Sequence, residues 1–428
     1  MSKLILRTEK FGATLYDTTT LKHSFLSVDD KERTIEEVKR QNVDFEVWDS
    51  NTDQLRDDII CSPIRIYYEL TLKCNLRCNL CFNSSGKPRS SELATEKILY
   101  SLDKLREANV IDIRFSGGEI TQHPDWFEVL KYAKKLGFVV SCNTNGVYDD
   151  MDVVEKLLSL SLNQITISID GIQSGHEKNR GKNTYNKIMN SLQKLSEGNA
   201  PIRINTLISR WSIAQMEQII EIASMYAKEI NFFPFRFLGR GLAQIDNSIS
   251  MNEYYKMAQD ASSMRKKYPN LRILHFAQSF HSRSIDEDGQ MGLKMGGADG
   301  FTCFNITSDG MLWAGGYAPY IDPNCHMGNI IIDNILDVWQ KNSDLDAYRT
   351  RSHRLKKICN KCSLYAQKCP GSIYELEQIR LLNPNIKNPF CVYGAGPSLL
   401  LENTPIRESI QSLNSNASTK WQRSSQNR

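Results

Sequence analysis

Between residues 64 and 238 the chain alternates between two hydrophobic periods. Short β-rich apolar runs at 64–70, 111–115, 138–142, 164–169, 202–208 and 231–238 predict strands. Between them, apolar residues recur at helical spacing over 91–108, 124–136, 151–160, 184–196 and 213–228. Leu93, Ile98, Leu99, Leu102 and Leu105 share one side of the first of these helices. A further helix is predicted near 252–267. Strands that alternate with helices predict an α/β fold, a parallel sheet with helices outside. The strands' C-terminal ends carry polar or glycine residues, where such folds place their active sites.

The flanks have other patterns. Residues 4–27 read as a β-hairpin about the turn-prone Asp17-Thr18-Thr19-Thr20, followed by a charged helix over 29–40. The expected organisation is an N-terminal hairpin and helix region at 1–62, an α/β domain at 63–275, a linker at 276–300, a cysteine-rich domain at 301–395 and a disordered tail at 396–428.

Composition excludes several classes. Of 428 residues, 40% are hydrophobic and 24% charged, as in ordinary globular proteins. A net charge of +4, from 53 basic against 49 acidic residues, does not call for nucleic acid. No apolar run suits a membrane span, and Met1–Lys10 lacks the apolar core of a signal peptide. Eleven cysteines without such a signal read as metal or redox chemistry in a reducing compartment, the cytoplasm.

The first predicted strand runs into Cys74, Cys78 and Cys81, spaced C-x3-C-x2-C. Three close thiolates are soft ligands for iron–sulfur clusters or zinc. A closed site of either kind wants four protein ligands, so three on one loop would leave one iron of a [4Fe–4S] cluster open to substrate. A zinc knuckle or buried thiols are the alternatives. The second strand ends in Gly117-Gly118-Glu119, glycines that admit close backbone approach and a carboxylate that can accept from an ammonium. Asn143, Ser168 and Asn205 lie at later strand ends, and Arg180 follows in the run His176–Gly181. Near the C-terminus, Cys359, Cys362, Cys369 and Cys391 supply four thiolates, enough to close a second cluster or a zinc site. Cys61 and Cys142 read as small buried hydrophobes.

These residues together resemble the radical S-adenosylmethionine (radical SAM) superfamily, and Ile306–Gly310, Gly328-Asn329-Ile330 and Trp339 resemble the framework of its SPASM/twitch subfamily. The resemblance implies a partial (β/α)6 barrel, a small SPASM-like auxiliary iron–sulfur domain and the N-terminal hairpin region. It implies a [4Fe–4S] cluster on Cys74, Cys78 and Cys81, with SAM chelating the open iron. Gly117, Gly118 and Glu119 would meet the SAM amino group, and Ser168 and Arg180 its carboxylate. Asn205 would approach the ribose, Asn143 would lie near SAM, and Phe82 would meet the adenine through its backbone. SPASM domains normally carry two auxiliary clusters. Here one usual cysteine is replaced near Gly315 and another at Ile373, leaving one auxiliary [4Fe–4S] cluster on Cys359, Cys362, Cys369 and Cys391. Cys303 and Cys325, where a lost cluster would have faced the active site, become candidate hydrogen-atom donors.

The expected activity is SAM cleavage to a 5′-deoxyadenosyl radical that abstracts hydrogen from a ribosomally made precursor peptide, giving a crosslink, an epimer or a backbone excision. The hairpin would offer its edge to that peptide, and a flavodoxin or ferredoxin would supply electrons. One alternative is an oxidoreductase or decarboxylase acting on a sugar, nucleoside or amino acid. Another is a non-catalytic iron–sulfur or zinc protein.

Overall fold

The computed structural model describes residues 3–50, 55–56, 58–235, 238–249, 251–275, 299–320 and 323–349. The expected auxiliary ligands Cys359, Cys362, Cys369 and Cys391, the tail and most of the expected linker lie outside the described residues.

The N-terminal region is more than a hairpin. Strands β1 (Lys3–Glu9), β2 (Gly12–Asp17) and β3 (Lys22–Ser27) form an antiparallel meander, and α1 (Val28–Arg40) returns the chain to β4 (Asp44–Trp48), parallel to β1. The expected turn at Asp17 is present, its carboxylate accepting from Thr19 N at 2.8 Å and Thr20 Oγ1 at 2.7 Å. The other turn escaped the pattern because Lys10-Phe11 carries no paired turn signal. Gly12 allows it, with φ +142° and room for no Cβ: one would stand 2.2 Å from Leu26 O. Ser27 caps α1 by accepting from Asp30 N.

The large sheet has ten strands, in the order β11-β10-β9-β8-β7-β6-β5-β12-β13-β14. In chain order come β5 (Arg65–Thr71), α2 (Thr95–Glu107), β6 (Asp112–Gly117), α3 (Trp126–Lys135), β7 (Val139–Thr144) and α4 (Asp152–Ser159). There follow β8 (Gln164–Ser168), α5 (Gln173–Arg180), α6 (Tyr185–Glu197), β9 (Ile202–Ile208), α7 (Arg210–Ile213), α8 (Met216–Tyr226) and β10 (Glu229–Pro234). After α9 (Met251–Lys267), β11 (Arg272–His275) adds a seventh parallel strand where the pattern showed six. It is too short to announce itself by period.

Residues of the expected C-terminal domain extend the same sheet. β12 (Cys303–Ile306) pairs in parallel with β5, and β13 (Met311–Trp313) and β14 (Gly328–Asn329) continue antiparallel. Two helices follow, α10 (Ile335–Lys341) and α11 (Ser343–Arg349).

Strand alternation sorts the side chains by face. Ile66, Tyr68, Ile113, Phe115, Val140, Cys142, Ile165 and Ile167 are buried in the apolar core, where Tyr68 meets Ser101 of α2 at 3.0 Å. Arg65, Tyr67, Glu69, Asp112, Arg114, Ser116, Ser141 and Asn143 alternate with them and make the opposite face polar. The N-terminal sheet closes one end of that face. Tyr16 donates to Asp112 Oδ2 at 2.7 Å, Arg65 Nη2 to Leu21 O at 3.2 Å and Asn163 Nδ2 to Thr18 O at 3.2 Å. The β2–β3 turn therefore sits against the strands' N-terminal ends.

Candidate active site

The cysteine loop leaves β5 at its C-terminal end, the opposite end from Tyr16, and groups from three other strand ends hold it. Asn145, after β7, donates through Nδ2 to Asn75 Oδ1 at 2.8 Å. Asn179, on α5, accepts Leu80 N at 2.9 Å through Oδ1 and Asn79 N at 2.8 Å through its carbonyl. Arg240, beyond β10, donates from Nε to Cys78 O at 2.7 Å and from Nη1 to Ser85 O at 2.8 Å. Its own N–H reaches Cys81 O at 3.0 Å. Gly239 at φ +54° brings it there; a Cβ would stand 2.4 Å from Phe82 O.

All three thiols are half-buried and unoxidised. Leu76 N donates to Cys74 Sγ at 3.4 Å, and Cys81 Sγ lies 2.8 Å from Asn83 Oδ1. Burial pushes the Cys74 thiol up to about 11 and also raises Cys78, so a metal binding here displaces protons. Among the described residues no three His, Cys, Asp or Glu side chains converge on one ion position. A [4Fe–4S] cluster does not ask for that, because each thiolate takes a different iron. The loop thus fits a cluster with three soft donors and polar groups against the sulfurs.

The paired glycines serve this loop directly. Gly117 has φ +138°, and a Cβ on it would stand 2.2 Å from Thr71 O; one on Gly118 would stand 2.3 Å from Lys73 O. Gly118 N donates to Thr71 O at 2.7 Å and Glu119 N to Lys73 O at 2.9 Å. The close approach expected toward a ligand is thus made toward the loop itself. Glu119 is fully buried, where the sequence reading had it meeting the SAM amino group. Its carboxylate accepts from Asn145 N at 2.7 Å, Thr144 Oγ1 at 2.9 Å and Thr121 Oγ1 at 3.0 Å. Burial raises its pKa against the opposing pull of these donors. In this geometry it ties the end of β6 to the end of β7.

The remaining strand-end residues divide. Asn143 donates to Ser116 Oγ at 3.3 Å, and Asn205 Oδ1 lies 3.5 Å from Asn231 Nδ2. Ser168 stands in register beside Asn205, and all three are half-buried on the polar face. Arg180 donates from Nε to Asp170 Oδ2 at 2.6 Å. Burial opposes its charge, but Asp170 and the Cys78 thiol outweigh that and raise its pKa. Asp170 also accepts from Asn179 Nδ2 at 2.7 Å and Leu207 N at 2.9 Å. One buried carboxylate thus sets the arginine near Cys78 and the asparagine that holds the cysteine loop.

A C-terminal segment reaches the same loop. Phe82 meets the rings of Tyr317 and Tyr320 edge-on, at 5.0 and 5.5 Å between centroids. Tyr320 donates to Glu69, which also takes Arg89 Nε at 3.1 Å and Ser308 Oγ at 3.0 Å.

Cys303 is not brought to this site. It is in register with Arg65, at the start of β5, whereas the cysteine loop follows Thr71. Six residues at about 3.3 Å each put roughly 20 Å between those levels. Hydrogen-atom transfer needs contact, so the donor role falls for Cys303. Half-buried Cys325 precedes β14, and β13 and β12 stand between β14 and β5. Glu69, Asp170, Asn179 and Arg240 were missed as site builders. Asp170 and Asn179 lay within runs already singled out, but nothing in sequence separates a loop-clamping Arg240 from an exposed one.

Residues 68–223 match the family model described as the radical SAM superfamily. The mycofactocin maturase MftC of Mycobacterium tuberculosis is 29% identical over 351 residues, covering 80% of this chain and 86% of that protein. The sporulation killing factor maturation protein SkfB of Bacillus subtilis is 34% identical over 160 residues, 37% of this chain and 39% of its own. The crystal structure of Streptococcus suis SuiB bound to S-adenosylmethionine superposes with TM-score 0.69 at 16% identity, over 87% of this chain and 94% of that one. At that identity the likeness is one of fold.

Proposed function

This chain belongs to the radical SAM superfamily, and on that premise we propose that it modifies a ribosomally made precursor peptide. The observation that carries the reading is the three-cysteine loop at the C-terminal end of β5, clamped by Asn145, Asn179 and Arg240. Its similarity to proteins named maturases over 80% of the chain supports the substrate class. When bound, the cluster and SAM supply a 5′-deoxyadenosyl radical that takes a hydrogen from the substrate. Cys74, Cys78 and Cys81 would hold the cluster. Arg180, Ser168, Asn143 and Asn205, together with the backbone of Phe82, Gly117 and Gly118, would orient SAM. The parallel strands are proposed as a partial (β/α)6 barrel, and β12–β14 with α10 as the start of a SPASM-like domain. Its one auxiliary cluster would use Cys359, Cys362, Cys369 and Cys391, and the N-terminal sheet would recognise the peptide.

The test is co-expression with each short open reading frame beside the gene, in deuterated water, followed by mass spectrometry of the peptides. Loss of two hydrogens means a crosslink or desaturation, and loss of a larger fragment means excision. One carbon-bound deuterium means epimerisation, with Cys325 as proposed donor, which Cys325→Ala would then abolish. If SAM is cleaved and every peptide stays unchanged, the peptide reading fails.

A further inference from the structure

The polar face of the sheet holds a buried cation that its own carboxylates leave unbalanced. Asp112 Oδ2 accepts from Arg65 Nε at 2.5 Å and from Tyr16 at 2.7 Å, while Arg114 Nε stays 3.8 Å away. Arg114 is 8% exposed, and its Nε has no hydrogen-bond partner. Two arginines thus share one carboxylate.

Arg114 is not isolated in this. Cα pairings run from Asn305 on β12 through Tyr67 and Arg114 to Ser141 and Gln164, one row across five strands. In that row Asn305 Nδ2, Ser141 Oγ and Gln164 Oε1 are also buried without partners. Neighbouring strands lie about 4.8 Å apart, so these groups look into one space. Tyr16 closes its floor, and the next row up, Glu69 and Ser116 with Asn143 beyond, leads to the cysteine loop. Buried polar groups are ordinarily paired, and a buried charge without a counter-charge is costly. Water would satisfy the hydroxyl and the amides but leave the guanidinium unbalanced. A carboxylate does both, taking the guanidinium in a charge-assisted contact.

We propose that this row seats a carboxylate of the substrate, paired with Arg114 and hydrogen-bonded by Asn305 and Ser141, with Gln164 accepting an adjoining N–H. The carboxylate is a peptide side chain or C-terminus under the function proposed above, on which the word substrate rests. Anchoring it below the strand ends fixes which C–H faces the cluster loop.

The test uses the full-length protein with its cluster reconstituted anaerobically, and N-acetyl-L-glutamate against N-acetyl-L-glutamine as probes. The expected result is that the glutamate derivative binds at least about tenfold tighter by calorimetry. Arg114→Met removes that preference without lowering the melting temperature of the ligand-free protein, since it deletes an unbalanced buried charge. Asn305→Leu with Ser141→Ala weakens the glutamate derivative in the same direction, and replaces the arginine variant should that one fail to fold. Equal binding of both probes overturns the proposal, as does Arg114→Met that keeps the preference. A rise confined to the KM for SAM in Arg114→Met would put SAM's own carboxylate at this arginine and overturn it too. A preference lost in Arg114→Met while no peptide is modified by the wild type upholds the carboxylate site and removes only the peptide reading.

Discussion

His176 shows how one buried residue carries a pH dependence. It is fully buried on α5, its Nδ1 accepting from Asp170 N at 3.4 Å. Burial first, then Arg180, brings its pKa down from 6.5 to about 4, with Asp170 opposing. Between those values the unfolded chain binds a proton that the folded chain refuses. Stability from this group is therefore complete above pH 6.5 and falls as pH drops toward 4. About 2 kcal/mol should be lost between pH 7 and pH 5. Urea midpoints at the two values should show it, and His176→Gln should flatten that part of the slope. Asp170 contributes in the same direction at lower pH: burial opposes its charge, but Arg180 and His176 hold its pKa below the ordinary value.

At the scale of elements, the site is one loop gripped by the ends of several strands. Gly117→Ala would drive a Cβ into Thr71 O and force a φ of +138° on an alanine, at a cost of about 1–3 kcal/mol from the backbone alone. The expected result is a chain that folds but retains less iron after anaerobic reconstitution; wild-type iron content would show that β6 does not support the loop. Arg240→Ala removes two charged hydrogen bonds to Cys78 O and Ser85 O, each worth about 1.5–3 kcal/mol. It should speed iron loss to a chelator, and Arg240→Lys should recover only part of the effect. By contrast Cys359→Ala should halve iron, from about eight to about four per chain, and leave the SAM-binding cluster intact. An unchanged iron count would remove the auxiliary cluster.

At the scale of the whole molecule, the N-terminal sheet is built into the α/β body. Arg7 is fully buried and donates to Glu9 Oε1 at 2.9 Å, Ser62 Oγ at 2.9 Å and Asn109 O at 3.0 Å. Glu9 in turn accepts Cys61 N at 2.7 Å and Thr14 Oγ1 at 2.7 Å. From the other side, α10 donates through Trp339 Nε1 to Ile60 O at 2.9 Å and through Gln340 Nε2 to Cys61 O at 2.8 Å. Removing one partner of a buried pair costs about 3–5 kcal/mol. Arg7→Met should therefore cost more than the double change with Glu9→Gln, as denaturation midpoints would show. For the same reason deleting residues 1–30 would strip Tyr16 and Arg7 from the body, so it no longer separates peptide recognition from stability. Among the described residues, no helix is long and apolar enough to cross a membrane.

What the amino-acid sequence determined by itself is local in origin. Period changes marked six parallel strands and their helices within a few residues, because amphipathic spacing follows from backbone geometry. The C-x3-C-x2-C loop and Gly117-Gly118-Glu119 were legible because their chemistry is carried by residue type and spacing. Tertiary structure alone decided the rest. Ile64–Arg65 could not announce that their strand neighbour would be Cys303, more than half the chain away, nor that this pairing sets Cys303 at the far end from the cysteine loop. Glu119 reads as a free carboxylate in sequence and is a buried tether in the fold. Arg240 reads as a loop arginine and is a clamp. Which groups meet across strand ends depends on register and loop path, contacts between residues distant in the chain that no local pattern encodes.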